Sequence, residues 1–256
     1  MLIRALSYAW RLPATGLGFA SLGLGGVLLA ATVFPLLRWT TRNEWVRARR
    51  VQAVIRASFR VYIGLLQVLG LIRLEVAGEE RIAACRGVLV VANHPTLLDV
   101  VLLMSRVPNA QCVVKHQLWR NRFIGPVVRA AGYIRNDLAP ELFIERCRQA
   151  LDRGHNLIIF PEGTRTVPGR PLRLQRGFAN IALLVPADLQ IACISCEPLT
   201  LTKGLPWYDI PERPAAFRVV FEDRVETAPF LRGASRALAA RRLAAHLETR
   251  LASRHP

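Results

Sequence analysis

Residues 88–104 read VLVVANHPTLLDVVLLM. The first five are apolar and mostly β-branched, a run short enough for a strand buried on both faces rather than a helix. From residue 97 to 104 the chain is apolar again and reads as a helix, and the polar break NHPT lies between the two. The layout recurs at 157–165, where LIIF, a buried strand, runs into PEGTR. Outward from these two landmarks, further strands are predicted at 111–114, 133–134, 191–196 and 217–221. Helical stretches fall at 118–131 (basic and amphipathic), 140–153 (Pro at its start), 181–185 and 234–253, and a Gly/Pro-rich loop runs to residue 171. This alternation predicts an α/β fold: a mixed, mostly parallel sheet flanked by helices, with ligands beyond the carboxyl ends of the strands. Both polar breaks fall at such ends.

The first break has the makings of an acid–base pair. His94 follows the strand directly, and Pro95 suits the first turn of the next helix. Asp99, one and a half turns further on, can lean back to accept a hydrogen bond from one ring nitrogen. The other nitrogen is then unprotonated, a general base for the cleft. No Ser or Cys adjoins the pair, so a substrate hydroxyl is a candidate nucleophile. The competing reading makes His94 a helix cap and Asp99 a solvated residue. In the second break, the backbone N–H groups of the turn, the Thr164 hydroxyl and the Arg165 guanidinium are suited to a phosphate. Arg170, Arg173 and Arg176 add a basic rim; the competing reading is a turn with solvated charges.

The amino terminus is of another kind. No charge interrupts residues 12–37, and the 21 residues between Pro13 and Pro35 would span about 31 Å as a helix, close to a bilayer's hydrocarbon thickness. The run exceeds the usual length of a signal peptide's apolar region, which favours an uncleaved anchor. Gly16, Gly18, Gly23, Gly25 and Gly26 suit close helix packing or are neutral filler. Arg38, Arg42, Arg47, Arg49 and Arg50 follow it against the single acid Glu44, while Arg4 and Arg11 precede it. The heavier positive flank places the bulk of the chain on the cytoplasmic side of the inner membrane. Residues 51–74 read as an interfacial helix or as the first buried helix of the soluble part. The expected division is therefore 1–50 for the anchor and basic flank, 51–86 for an amphipathic lead-in, and 87–256 for the α/β domain.

Composition bounds the remainder. The 256 residues are 52 % apolar and 21 % charged, enough for one mid-sized core and unlike a disordered chain. The net charge is +17, and only Lys115 and Lys203 among the 35 basic residues are lysines. Such a balance favours anionic partners: phospholipid headgroups, phosphorylated cofactors or nucleic acid. No basic–aromatic nucleic-acid module is present, and no nucleic-acid partner is expected. The five cysteines are odd in number and scattered, which fits a reducing compartment, and the lone CxxC at Cys193 and Cys196 lacks the partners of a zinc site.

Together and in this order, NHPTLLD (93–99) and FPEGTR (160–165) resemble the 1-acyl-sn-glycerol-3-phosphate acyltransferase family of glycerophospholipid acyltransferases, which is marked by HxxxxD and FPEGTR motifs. The likeness covers roughly residues 87–196 and implies a membrane-bound O-acyltransferase. Acyl-CoA or acyl carrier protein would be the donor and 1-acyl-sn-glycerol-3-phosphate the acceptor, with phosphatidate as product, membrane lipids as partners and no metal or cofactor. It makes His94 the catalytic base and Asp99 its partner. It places Asn93, Thr96, Lys115, Arg135, Glu162, Gly163, Thr164 and Arg165 at the substrate. The chain departs from the pattern at Arg135-Asn136-Asp137, where the arginine is displaced by one position, and at 191–194, which lacks a proline. Its 198–208 segment is similar to relatives beside specialised fatty-acid or polyene systems, so a different acceptor is the alternative. A non-catalytic Arg-rich membrane scaffold is a third reading.

Overall fold

The structure, a computed structural model, describes residues 2–167, 169 and 171–252, with side chains from residue 7 onward. The side chain of Arg4, Arg170 of the expected basic rim and the end of the expected 234–253 helix lie outside these. The amino-terminal helices are α1 (Leu2–Ala31), α2 (Val33–Thr40) and α3 (Glu44–Val68). The alternating part begins with β1 (Ile72–Ala77), α4 (Glu79–Ala83), β2 (Leu89–Ala92), α5 (Asp99–Arg106) and β3 (Ala110–Val114). It continues through α6 (His116–Arg120), α7 (Gly125–Ala130), β4 (Ile134–Arg135), α8 (Pro140–Asp152), β5 (Asn156–Ile159) and α9 (Gly177–Leu184). The last elements are β6 (Leu189–Glu197), β7 (Ala215–Val225), α10 (Ala228–Leu231) and α11 (Arg236–Ala252).

The seven strands form one sheet in the order β1-β7-β6-β2-β5-β3-β4, parallel throughout except where β7 meets β6. This is the expected mixed, mostly parallel sheet with flanking helices. β2 is central: Leu89, Val90 and Val91 pair with β5 on one side and β6 on the other, and all four of its residues are buried. Burying such side chains contributes roughly 1.5–3 kcal/mol each. Asn156 closes the lower edge, its Oδ1 accepting from Val88 N at 3.2 Å and its Nδ2 donating to Cys85 O at 2.9 Å. One face of the sheet carries α3, α5 and α7 over Val90 and Ile158; the other carries α8, α9 and α11 over Leu89 and Leu157.

Three features depart from the sequence reading. β1 falls within the expected lead-in and pairs with β7 from Ile72↔Ala215 to Ala77↔Val220. Residues 118–131 are two short helices, because the Asn121 side chain accepts from Phe123 N and Ile124 N and turns the chain between them. The helix after His94 begins only at Asp99, leaving Pro95 in the preceding turn. Between its two expected roles, α3 takes the packed one: Val51, Ile55, Ile63 and Leu66 are buried in the core. Its start is fixed by Asn43, whose side chain accepts from Trp45 N and Val46 N.

The apolar amino-terminal stretch, residues 7–40, is long and apolar enough to cross a membrane. It breaks at Thr32, between α1 and α2, rather than running straight. It also does not stand clear of the domain. Trp10 Nε1 donates to Leu69 O at 3.0 Å, a Cβ at Gly18 would come within 2.9 Å of Leu66, and Phe34 is buried in the core. Gly18 thus serves close packing, while Gly23 and Gly25 face open space.

Candidate active site

The site lies at the carboxyl ends of the parallel strands. β2 delivers His94, β5 delivers Phe160 and Glu162, and β3 delivers Lys115. His94 Nδ1 lies 2.8 Å from Asp99 Oδ2; the Asp99 side chain is fully buried and that of His94 is 15 % exposed. Asp99 does not reach back along a helix. It stands first in α5, and the turn between the two residues is wrapped around its carboxylate. Thr96 N donates to Oδ2 at 2.7 Å and Thr96 Oγ1 to Oδ1 at 2.6 Å. With Thr96 N and Oγ1 donating to it, the Asp99 carboxylate accepts from the ring as well, which puts the imidazole proton on Nδ1 and leaves Nε2 as an acceptor. The ring stacks on Phe160, with centroids 4.2 Å apart and planes 25° apart, which holds its tilt. His94 does not cap α5; the residue at that position is Leu98, whose side chain makes no cap.

The two motifs interlock through backbone. Glu162 Oε1 accepts from His94 N at 2.9 Å and from Thr166 Oγ1 at 2.8 Å, while Thr166 N donates to His94 O at 2.7 Å. Thr166 was not singled out from the sequence, although it directly follows FPEGTR. Gly163 turns the chain at φ +68°, and its N–H donates to Phe160 O. Thr164 is exposed. Arg165 reaches the β6–β7 loop, where its Nη1 donates to Leu201 O at 2.9 Å and Thr202 O at 3.0 Å. Leu97 N donates to the same Leu201 carbonyl, so this loop joins both motifs. No local sequence signal marks Leu201, a non-glycine residue at φ +52°.

Other expected site residues are placed as follows. Asn93 has both side-chain polar atoms on Ile194 of β6: Nδ2 donates to its carbonyl at 2.7 Å and Oδ1 accepts from its N–H at 2.8 Å. Thr96 is fully buried against Asp99. Lys115 is exposed at the end of β3. Arg135 clasps Asp137 with Nε and Nη2, at 2.9 and 2.6 Å, and Asp137 also meets His116 Nδ1 at 2.8 Å. That clasp holds the Arg135 guanidinium pKa above, and the Asp137 carboxyl below, their ordinary values. Cys193 and Cys196 are buried in β6. Burial pushes the Cys112, Cys147 and Cys196 thiols up to about 12. An apolar cavity of about 530 Å³, counted to its open mouth, adjoins the dyad. Leu98 and Leu201 line it on the site's side, Phe19, Tyr62 and Leu66 further in, and Trp207 beside Phe19.

Residues 73–197 match the acyltransferase family model, a span that includes the dyad, FPEGTR and most of the sheet. Among curated proteins, the chain is 34 % identical over 144 residues to a 1-acyl-sn-glycerol-3-phosphate acyltransferase of Cocos nucifera, covering 54 % of this chain and 45 % of that protein. It is 34 % identical over 82 residues to the protein of the same description from Helicobacter pylori, covering 30 % and 35 %. The matches thus span less than half the length of either relative. Among solved structures, the 1-acyl-sn-glycerophosphate acyltransferase PlsC of Thermotoga maritima superposes with a TM-score of 0.72 over 94 % of this chain and 95 % of that one. At 18 % identity that likeness establishes the fold.

Proposed function

We propose that this chain is a membrane-attached O-acyltransferase that moves an acyl group from a thioester to the free hydroxyl of 1-acyl-sn-glycerol-3-phosphate. The observation that carries the reading is the 2.8 Å contact between His94 Nδ1 and a buried, fully hydrogen-bonded Asp99, with the histidine's backbone held by Glu162 and Thr166. His94 Nε2 removes the acceptor's hydroxyl proton as that oxygen attacks the thioester carbonyl. Asp99 supports the imidazolium that forms. The tetrahedral intermediate then collapses, the C–S bond breaks, and the leaving thiolate takes the proton back from His94. The nucleophile is the acceptor itself, consistent with the buried thiols. The cavity beside Leu98 has a mostly apolar lining that suits an acyl chain. Lys115 and Thr164, exposed at the strand ends, meet the headgroup.

The donor is acyl-CoA or acyl carrier protein, either of which the +17 chain attracts. The apolar α1 supplies the membrane attachment, and the arginines after it favour the cytoplasmic face. The Arg135–Asp137 clasp favours a second reading, in which the acceptor carries a different headgroup, because a guanidinium already held by a carboxylate grips a phosphate less strongly.

The test is transfer from a radiolabelled acyl thioester to lysophosphatidate in vesicles, with products separated and identified by mass. General-base catalysis is worth about 10²–10⁴ in rate, so His94→Ala should lose activity by that factor while keeping its fold. His94-dependent consumption of thioester without phosphatidate would favour the second reading. Full activity in His94→Ala would overturn both.

A further inference from the structure

Two surface segments beside the site take no part in the proton transfer. The turn 116–124, between β3 and α7, exposes Phe123 (68 %) and Ile124 (44 %) with Arg120 and Arg122 among them. The tip 203–208 of the β6–β7 loop exposes Trp207 (48 %) and Tyr208 (56 %) beside Lys203. Neither segment contains an acidic residue. Exposed aromatic and aliphatic groups interspersed with cations are costly in water and favourable where an apolar layer meets anionic headgroups. Trp and Tyr in particular suit that boundary.

Their placement says what covers them. Trp207 stands 3.8 Å from the Cβ position of Gly16 and edge-on to Phe19 at 5.9 Å, both on α1. Val127 of α7, just after the 116–124 turn, stands 3.9 Å from the Cβ position of Gly26. The two contacts are ten residues apart on α1, about 15 Å along it. Between and around them α1 turns Leu17, Leu24 and Leu28 outward. Arg11, buried although it sits at the start of the apolar stretch, donates to Pro211 O at 2.6 Å and pins the loop to the helix. The surfaces are thus continuous with the chain's one helix, among the described residues, that is apolar and long enough to enter a bilayer. At its other end each leads to the site, one through the Leu201 carbonyl held by Arg165 and the other through Lys115 at the end of β3.

We propose that the 116–124 turn and the 203–208 tip dock on the surface of an anionic bilayer, extending the contact made by α1 and seating the site's mouth on the lipid. This rests on membrane attachment through α1 but not on the acyl-transfer reaction. The turn and the tip act as two feet on the leaflet that faces the site, with Phe123, Ile124, Trp207 and Tyr208 at the boundary between headgroups and acyl chains.

The experiment uses the full chain with one introduced cysteine, Phe123→Cys or Leu205→Cys, labelled with an environment-sensitive fluorophore. The native thiols are buried, so the unsubstituted chain serves as the labelling blank. Glu145→Cys, exposed on α8 on the opposite face of the sheet, is the control. On vesicles of phosphatidylglycerol and phosphatidylcholine, the 123 and 205 probes should shift to the blue and be quenched by lipids carrying bromine on their acyl chains. The 145 probe should do neither. Water-like emission at 123 and 205 from a chain that floats with the vesicles would overturn the proposal. So would shielding of those probes by an acidic acyl carrier protein but not by vesicles. A chain that fails to float at all would overturn it together with attachment through α1, and acyl transfer in detergent, measured separately, would stand.

Discussion

Thr96 holds the site together with two hydrogen bonds to one carboxylate. Replacing it with the nearly isosteric valine leaves its N–H in place but removes the donor to Asp99 Oδ1, leaving a buried oxygen unsatisfied. Thr96→Val should cost about 1–3 kcal/mol of stability in a denaturant titration. It should also lower kcat more than it changes KM, while Thr96→Ser keeps both near wild type. A rise in KM alone, with kcat unchanged, would mean that the hydroxyl meets substrate. At this scale the sequence was informative about partners and less so about paths. The His94–Asp99 pairing was readable from five-residue spacing after a buried strand, but its geometry was not, because the turn at 95–98 is built by Thr96 rather than by helix. Asn93 illustrates the limit. Its neighbourhood in a motif points to substrate, whereas its amide is taken up by Ile194, 101 residues later.

Among the elements, the turn after β5 tolerates little change. Gly163 has a φ of +68°, and a Cβ there would lie 2.4 Å from Gln175 Nε2. Gly163→Ala should therefore lower activity several-fold and destabilise by about 1 kcal/mol or more. Gly163→Ala with Gln175→Ala should recover only the part due to the contact, leaving the backbone part, as read from paired thermal melts. A double variant restored to wild type would show that contact alone mattered. The buried strands β2, β5 and β6 were legible because a strand covered on both faces is a run of apolar residues that needs no partner to be recognised. β1 was not. IRLEVA, residues 72–77, alternates apolar and charged residues at the end of a long helical pattern, and its partner in the sheet is β7, some 140 residues on. The Arg11 contact to the β6–β7 loop was likewise invisible, since a lone arginine at the edge of an apolar stretch reads as a flank.

Over the whole molecule, acid sensitivity should arise away from the site. His155 is fully buried on β5's entry side, with Nδ1 at 2.9 Å from Gln52 Oε1. Burial, aided by Arg49 and Arg153, lowers its pKa from 6.5 to about 4. Between those values the unfolded chain binds a proton that the folded chain refuses, so the contribution is complete above about pH 6.5 and is lost as pH falls towards 4. The loss is up to about 3 kcal/mol. Unfolding of the detergent-solubilised protein followed from pH 7 to 4.5 should show it, and His155→Gln should flatten that part of the slope. An unchanged slope would place the sensitivity elsewhere. The five cysteines should all resist a thiol reagent in the folded protein and react on denaturation, because each is buried. Rapid modification of any one would point to an opening of the sheet that the packing does not suggest. Finally, the Asn93–Ile194 pairing imposes an order on the protein's birth. The apolar helix leaves the ribosome before the strands and can find a membrane early, but the strand beside His94 has only β5 to pair with until the β6 residues around 194 have emerged. The apolar helix of a nascent chain is therefore available to a membrane well before Asn93 meets its partner, 101 residues further on.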